Sequence, residues 1–155
     1  MSAVLCIGIG NRYRQDDSIG PRIADRLLQL NVPDVTVIEH SGEGASLMDA
    51  WGGVDTVILI DAVSSGATPG TLFQFAAHDS PLPAGYFAYS THAFGVAQAL
   101  ELARSLRELP PCCIVFGIEG GGFNFGIGLS PQVEDTIEAL VPLIARTIEE
   151  LRHAR

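Results

Sequence analysis

Runs of apolar residues alternate along this chain with segments in which apolar side chains recur every three or four positions. Three of the runs are continuous stretches rich in Val, Ile and Leu, a pattern typical of strands that are covered on both faces. A short Thr-Pro-Gly-Thr turn at 68–71 predicts that the fourth run is an antiparallel edge strand. The strand-length runs are residues 4–9, 35–39, 54–60, 71–75 and 112–118.

Helical periodicity fills the intervals between these runs. Residues 17–30 carry one apolar stripe, and residues 45–51 predict a short helix. Thr91 is a predicted N-cap for a helix ending near residue 109, and a last helix starts at 130–131, with Pro142 expected to kink or break it. This alternation predicts an α/β fold: a three-layer α-β-α sandwich around a twisted, mostly parallel five-stranded sheet, with helices on both faces and one antiparallel strand.

Composition sets further limits. The 155 residues suffice for one well-buried core, and without a repeat or linker they predict a single domain over 1–155. No apolar run approaches the roughly 18 residues of a membrane span, and no basic residue precedes the first run, so we expect a cytoplasmic protein without a signal peptide. The net charge is −9, and all nine basic residues are arginines. Lysine Schiff-base chemistry and a Walker-type loop are therefore excluded, and nucleic-acid binding is disfavoured.

The first strand leads into a glycine turn and then into two acids at a helix start. A dinucleotide-binding fingerprint would place a third glycine where this chain has Tyr13. Asp16 and Asp17 would also repel a phosphate from the amide groups of the helix. The loop therefore suits a cation better than a nucleotide.

Ligands of such sheets bind beyond the carboxyl ends of the strands, and this rim carries carboxylates and imidazoles. Asp17 follows the first strand, Asp61 follows the third, and His92 opens a helix. Taken singly, they have ordinary interpretations as a helix-dipole acid, a turn residue and a local hydrogen-bonding group. Together, two carboxylates and one imidazole from separate segments could converge on one divalent cation of borderline softness, nickel or zinc, with positions left open.

Other polar residues compete for roles at this rim. His40, at the end of the second strand, is the other histidine that could serve as a ligand. Glu43 and Glu119 are interpreted as acids that support the ligands, and Arg12 and Arg14 as groups that balance the charge of the nearby acids.

The ordered motifs of the chain resemble those of the hydrogenase maturation proteases, endopeptidases that process the large subunit of nickel-iron hydrogenases. The resemblance covers nearly the whole chain. Its parts are an opening signature at 8–20, an Ile-Asp-Ala motif at 60–62, a Pro-Gly-Thr turn at 69–71, a Ser-Thr-His motif at 90–92 and a Gly-Leu-Ser-Pro helix start at 128–131.

The resemblance implies site residues and two departures from the family pattern. Asp17, Asp61 and His92 would contact the metal and form the catalytic site, with Asp17 replacing a glutamate that the family often has. The loop after the second strand departs from the family's acid and two glycines. Substrate contacts are expected from Asn11, His40, Gly42, Glu43 and Gly44.

The implied reaction removes a short C-terminal extension from the hydrogenase large-subunit precursor after nickel has been loaded. Nickel would arrive with the precursor and act first in recognition, and zinc or another divalent cation could substitute for it. Two alternatives for the chemical step stay open: the metal polarises the carbonyl or activates water, or one carboxylate serves as general base. We expect a monomer that binds neither nucleic acid nor membrane.

Two alternatives to this reading differ in what the site does. A non-catalytic nickel-binding maturation chaperone would need the same ligands. A peptidyl-tRNA hydrolase-like esterase shares a similar Gly-x-Gly-Asn opening. It would need a cationic surface and a histidine where this chain has Asp16 and Asp17.

Overall fold

The strands and helices follow the predicted order closely. The computed structural model describes residues 4–83, 85–86 and 93–153. Within these ranges the strands are Val4–Ile9 (β1), Val35–His40 (β2), Thr56–Val63 (β3), Leu72–Ala76 (β4) and Cys112–Glu119 (β5). The helices are Ile19–Leu30 (α1), Gly44–Trp51 (α2), Val96–Ser105 (α3) and Pro131–His153 (α4), and a 3₁₀ helix, Gln15–Ser18, leads directly into α1.

The strands form one sheet in the order β2-β1-β3-β5-β4. All neighbours are parallel except β4, which runs antiparallel to β5 at the edge. The predicted mostly parallel five-stranded sheet is therefore confirmed. The third strand is longer than predicted, so Asp61 lies inside β3 opposite Gly117 of β5 rather than after the strand.

Two apolar cores flank the sheet, one on each face. The side chains of β3 alternate between them: Ile58 and Ile60 pack with α1 and α4, whereas Val57 and Leu59 pack with α2 and α3. This alternation follows from the two-residue period of a strand, and it explains why the run is apolar at every position. The three-layer prediction is confirmed.

Helix α3 starts later than the sequence predicts. Its N-cap is Gly95, whose backbone N–H donates to the side-chain oxygen of Gln98 at 3.0 Å. The proposed cap, Thr91, lies outside the described residues.

Helix α4 continues through Pro142, so the alternative of a break is wrong. Val141 and Ile144 on either side are buried in the core, and such packing holds a helix together across one missing hydrogen bond. No helix within the described ranges is both long and apolar enough to cross a membrane.

Candidate active site

Close packing between two glycines brings the start of α1 onto the sheet. A Cβ atom on Gly20 would lie 2.2 Å from the carbonyl oxygen of Ile9 and 2.6 Å from that of Ile60. A Cβ atom on Gly8 would lie 2.4 Å from the carbonyl oxygen of Gly20. Because no side chain separates these backbones, the 3₁₀ helix contacts β3. This contact brings Asp17, in the 3₁₀ helix, near the residue that follows Ile60 in β3.

That residue is Asp61, whose side chain is almost fully buried, with 8% of its surface exposed. Its Oδ1 atom accepts a hydrogen bond from the backbone N–H of Ala62 at 2.8 Å. Burial raises the pKa of Asp61 well above its ordinary value, the negative charge of Asp17 raises this pKa further, and the Ala62 amide opposes both effects. Asp17 thus lies close enough for its charge to act on the buried carboxyl of Asp61, and a positive charge between them would be favourable.

The turn after β1 fixes the carboxylate of Asp17. The backbone N–H of Asn11 donates to Oδ2 of Asp17 at 3.2 Å and to the Asp17 carbonyl oxygen at 3.1 Å. Oδ1 of Asn11 accepts from the backbone N–H of Tyr13 at 2.9 Å, which forms an Asx turn. Asn11 therefore shapes the turn, while its predicted contact with substrate stays a prediction.

Asp16 is a further important residue of the site region, and the site residues predicted from sequence did not include it. Its fully buried carboxylate accepts hydrogen bonds from the backbone N–H groups of Gly121 (2.6 Å), Gly122 (3.1 Å) and Ser130 (2.7 Å), and from the Ser130 hydroxyl (2.5 Å). These bonds fasten the glycine-rich loop between β5 and α4 to the 3₁₀ helix. The two adjacent acids therefore have different roles. Asp16 binds the loop between β5 and α4, whereas Asp17 lies near Asp61.

The loop after β2 is ordered by local hydrogen bonds. Nδ1 of His40 accepts from the backbone N–H of Gly42 at 2.9 Å, so the ring proton of the neutral form is on Nε2, 3.2 Å from the Ser46 hydroxyl. Glu43 caps α2 by accepting from the backbone N–H groups of Ala45 and Ser46, both at 2.9 Å. Both side chains have structural partners, and their substrate contacts remain predictions.

The same loop packs against the chain just after the histidine motif. The backbone N–H of Gly44 donates to the carbonyl oxygen of Phe94 at 2.8 Å, and a Cβ atom on Gly44 would lie 2.3 Å from the Phe94 ring. Gly42 has a φ of +94°, which favours glycine. His92 itself lies outside the described residues. Within the described part of the chain, no three His, Cys, Asp or Glu side chains converge to hold a metal ion.

The remaining predicted polar residues have other contacts. Glu119 is buried at the end of β5 and accepts from the backbone N–H (2.9 Å) and hydroxyl (2.5 Å) of Ser65, which positions the loop after β3. Arg12 pairs with Asp25 at 2.8 Å and with Glu39 at 2.6 Å. These contacts stabilise the scaffold around the acidic pair Asp17–Asp61.

Comparison with solved structures first defines the class of protein as an endopeptidase. The fold matches the solution structure of an endopeptidase from Escherichia coli with a TM-score of 0.81 at 29% identity, covering 97% of this chain and 93% of that one. It also matches the hydrogenase maturating endopeptidase HybD from Escherichia coli with a TM-score of 0.76 at 26% identity, with the same coverages.

Sequence comparison identifies the family. The hydrogenase 2 maturation protease of Escherichia coli is 30% identical over 95% of this chain and 91% of its own length. The formation protein HupD of Thiocapsa roseopersicina is 28% identical over 96% of this chain and 67% of its own. The family model described as HycI, hydrogenase maturation protease, matches residues 21–147, a range that contains Asp61 and His92 and begins after Asp17. The chain belongs to the hydrogenase maturation protease family and is a peptidase.

Proposed function

We propose that this endopeptidase removes a C-terminal extension from the nickel-loaded large-subunit precursor of a nickel-iron hydrogenase, and that it recognises the nickel ion. The observation that carries the proposal is the acidic pair, in which Asp17 and the buried Asp61 come from separate segments. Burial raises the pKa of Asp61 most, and the negative charge of Asp17 raises it further. The names of the related hydrogenase maturation proteases support the substrate class.

Electrostatics explain how such a pair would discriminate between precursors. The half-buried carboxylate of Asp17 repels a charged Asp61, and burial of Asp61 adds a larger desolvation penalty. A divalent cation brought by the substrate offsets both terms, because its charge replaces the missing solvent. A nickel-free precursor offers no such compensation and should therefore bind more weakly.

We assign His92 as the third contact to the substrate's nickel. Support comes from the described residue Phe94, which packs against Gly44, the first residue of α2 after the loop that follows β2. The carboxyl ends of β1, β2 and β3 lie at one edge of the parallel sheet, so Phe94 and the acidic pair share that edge. Two carboxylates and one imidazole suit a divalent ion of borderline softness.

Peptide hydrolysis at this place needs a group that handles a proton. Water adds its oxygen to the scissile carbonyl carbon, the carbon–nitrogen bond breaks, and the leaving amine takes up a proton. Asp17 and Asp61 are the described carboxylates that could accept the proton of the attacking water and return it to the amine.

The test compares nickel-loaded with nickel-free precursor by mass spectrometry after incubation with the protein. We expect only the nickel-loaded precursor to lose its C-terminal segment. Asp17→Asn, Asp61→Asn and His92→Gln should each slow processing about 100-fold or more, because loss of groups that merely orient metal ligands already has effects of 10- to 100-fold. Asp49→Asn, on the exposed surface of α2, is the matched control and should process normally.

Three results would count against parts of the proposal. Equal cleavage of both precursors would contradict nickel recognition. Tight binding of the loaded precursor without cleavage would indicate a chaperone. Normal rates in the three variants would show that the reaction occurs elsewhere.

A further inference from the structure

Three large apolar side chains are exposed on two neighbouring loops, one of which is the turn that leads to Asp17. Tyr13 is 67% exposed, Phe125 79% and Ile127 80%, the highest values among large apolar residues in the described part of the chain. We call these three residues the rim. Exposed apolar side chains grouped in this way mark interaction surfaces more often than isolated ones do.

Hydrogen bonds join the two loops into one surface. The backbone N–H of Gly126 donates to the carbonyl oxygen of Tyr13 at 2.9 Å, and the N–H of Gln15 donates to the carbonyl oxygen of Gly126 at 3.0 Å. Asp16 fastens both ends of the second loop, at Gly121 and at Ser130. The backbone that carries the rim is therefore held in place without a partner, which reduces the backbone entropy lost on binding.

The rim also carries a cation. The guanidinium of Arg14 lies 5.0 Å from the centre of the Phe125 ring, and its Nε donates to the carbonyl oxygen of Phe123 at 3.3 Å. Tyr, Phe and Arg are enriched at protein interfaces. Although the whole chain has a net charge of −9, Arg14 gives this apolar patch a positive charge. The patch would therefore attract an apolar surface that includes a carboxylate.

The position of the rim identifies its occupant. Tyr13 belongs to the Asx turn that fixes Asp17, so a protein lying on the rim also borders the acidic pair. We propose that the rim is the docking surface for the folded body of the nickel-loaded precursor, which places its nickel at Asp17 and Asp61. This inference rests on the proposed function. It adds that the partner presents apolar side chains and at least one carboxylate next to its nickel.

The test is a kinetic comparison of two triple variants. Replacing all three rim residues with Ser should raise the KM for nickel-loaded precursor about tenfold or more and leave kcat within about twofold, since contacts outside the reacting groups contribute binding alone. The matched control, with Leu28, Leu30 and Leu106 replaced by Ser, removes about half-exposed apolar side chains elsewhere and should change neither constant. Arg14→Gln should reduce the salt dependence of KM.

Each outcome has a definite meaning. An unchanged KM in the rim variant, with normal processing, overturns the docking role and leaves the proposed function standing. If the wild type fails to process nickel-loaded precursor, the proposed function is wrong. The docking role is then tested by sedimentation, and it is overturned as well if the wild type and the rim variant bind that precursor with equal affinity. Loss of self-association at unchanged KM would assign the rim to a second copy of this chain. If the triple variant does not fold, Phe125→Ser alone gives the same comparison.

Discussion

The roles of some residues at the site could be predicted from the sequence, and those of others could not. Asp61 is recognisable because it directly follows an apolar run, and Asp17 because it lies at a helix start after the glycine turn that ends another such run. The role of Asp16 could not be predicted, because its partners Gly121 and Ser130 are 105 and 114 positions away. A sequence pattern shows only which residues are neighbours along the chain. The structural role of the Asp16 carboxylate depends on amide groups that are near it only in the folded protein.

Asp61 should lower the stability of the protein at neutral pH. The pKa of Asp61 is raised in the folded state. Protonation of Asp61 therefore stabilises the fold fully below the pKa of the unfolded chain, about 3.9. This stabilisation is lost as the pH rises through the folded-state pKa. Asp61→Asn keeps the shape and removes the charge. We expect the variant to be more stable than the wild type at pH 7, although it processes precursor far more slowly. The advantage should shrink towards about pH 3.9.

Thermal unfolding of both proteins at the two pH values measures this difference. Comparing the variant with the wild type cancels the titration of the other carboxyls. A variant that is equally destabilised at both pH values would contradict the assigned charge effect.

Loss of the Asp16 carboxylate should destabilise the whole fold. Asp16→Ala leaves three amide donors and one hydroxyl without their acceptor, and bonds to a buried charge contribute about 1.5–3 kcal/mol each. We expect unfolding free energy to fall by about 3 kcal/mol or more in urea titrations. Asp49→Ala, at an exposed position, should change it by no more than about 0.5 kcal/mol. Similar values for the two variants would refute the role of Asp16.

At the scale of elements, the approach of α1 to β1 and β3 depends on glycine. In Gly20→Ala the new methyl group would overlap the backbone oxygens of Ile9 and Ile60. Such overpacking costs about 1–3 kcal/mol, and here we expect the upper end because backbone atoms obstruct the methyl group. Processing should slow as well, since α1 and the 3₁₀ helix that carries Asp17 must shift.

Gly52→Ala is the matched control for this comparison. Gly52 has a φ of −57°, and a Cβ atom there would meet its nearest neighbour at 3.5 Å, an ordinary contact. Urea unfolding and precursor cleavage of the two variants should therefore differ clearly. Equal effects would mean that the glycine contact does not position Asp17.

Element positions could be predicted where the signal is local. Strand-length apolar runs, three of them continuous, predicted four of the strands, and a short turn predicted that β4 is an antiparallel edge strand. The ends of elements depend on partners instead. Strand β3 extends to Val63 because its pairing with β5 continues through Asp61 and Gly117. Helix α3 begins at Val96 because the N–H of its N-cap, Gly95, donates to the side chain of Gln98. Neither partner is visible in a periodicity.

At the scale of the whole molecule, nickel should join parts of the chain that are distant in sequence. The proposed contacts come from the 3₁₀ helix before α1, from β3 and from the segment before α3. A ligand that binds only the folded arrangement stabilises it by about 2.7 kcal/mol at a concentration 100 times its dissociation constant. Free nickel at high concentration should therefore raise the unfolding temperature of the wild type, even without the precursor, and magnesium should do so less because it is a harder ion.

Variants determine whether such a shift comes from the site. Asp61→Asn should lose most of the nickel-induced rise, because it removes a buried carboxylate of the pair. Asp49→Asn should keep all of it. An equal rise in both variants would place the nickel on other acids of this strongly acidic chain, since a net charge of −9 attracts divalent cations to many surface positions. A rise confined to proteins with an intact Asp61 would mean that one ion stabilises the junction of β1, β3 and α1, where the substrate's metal is proposed to bind.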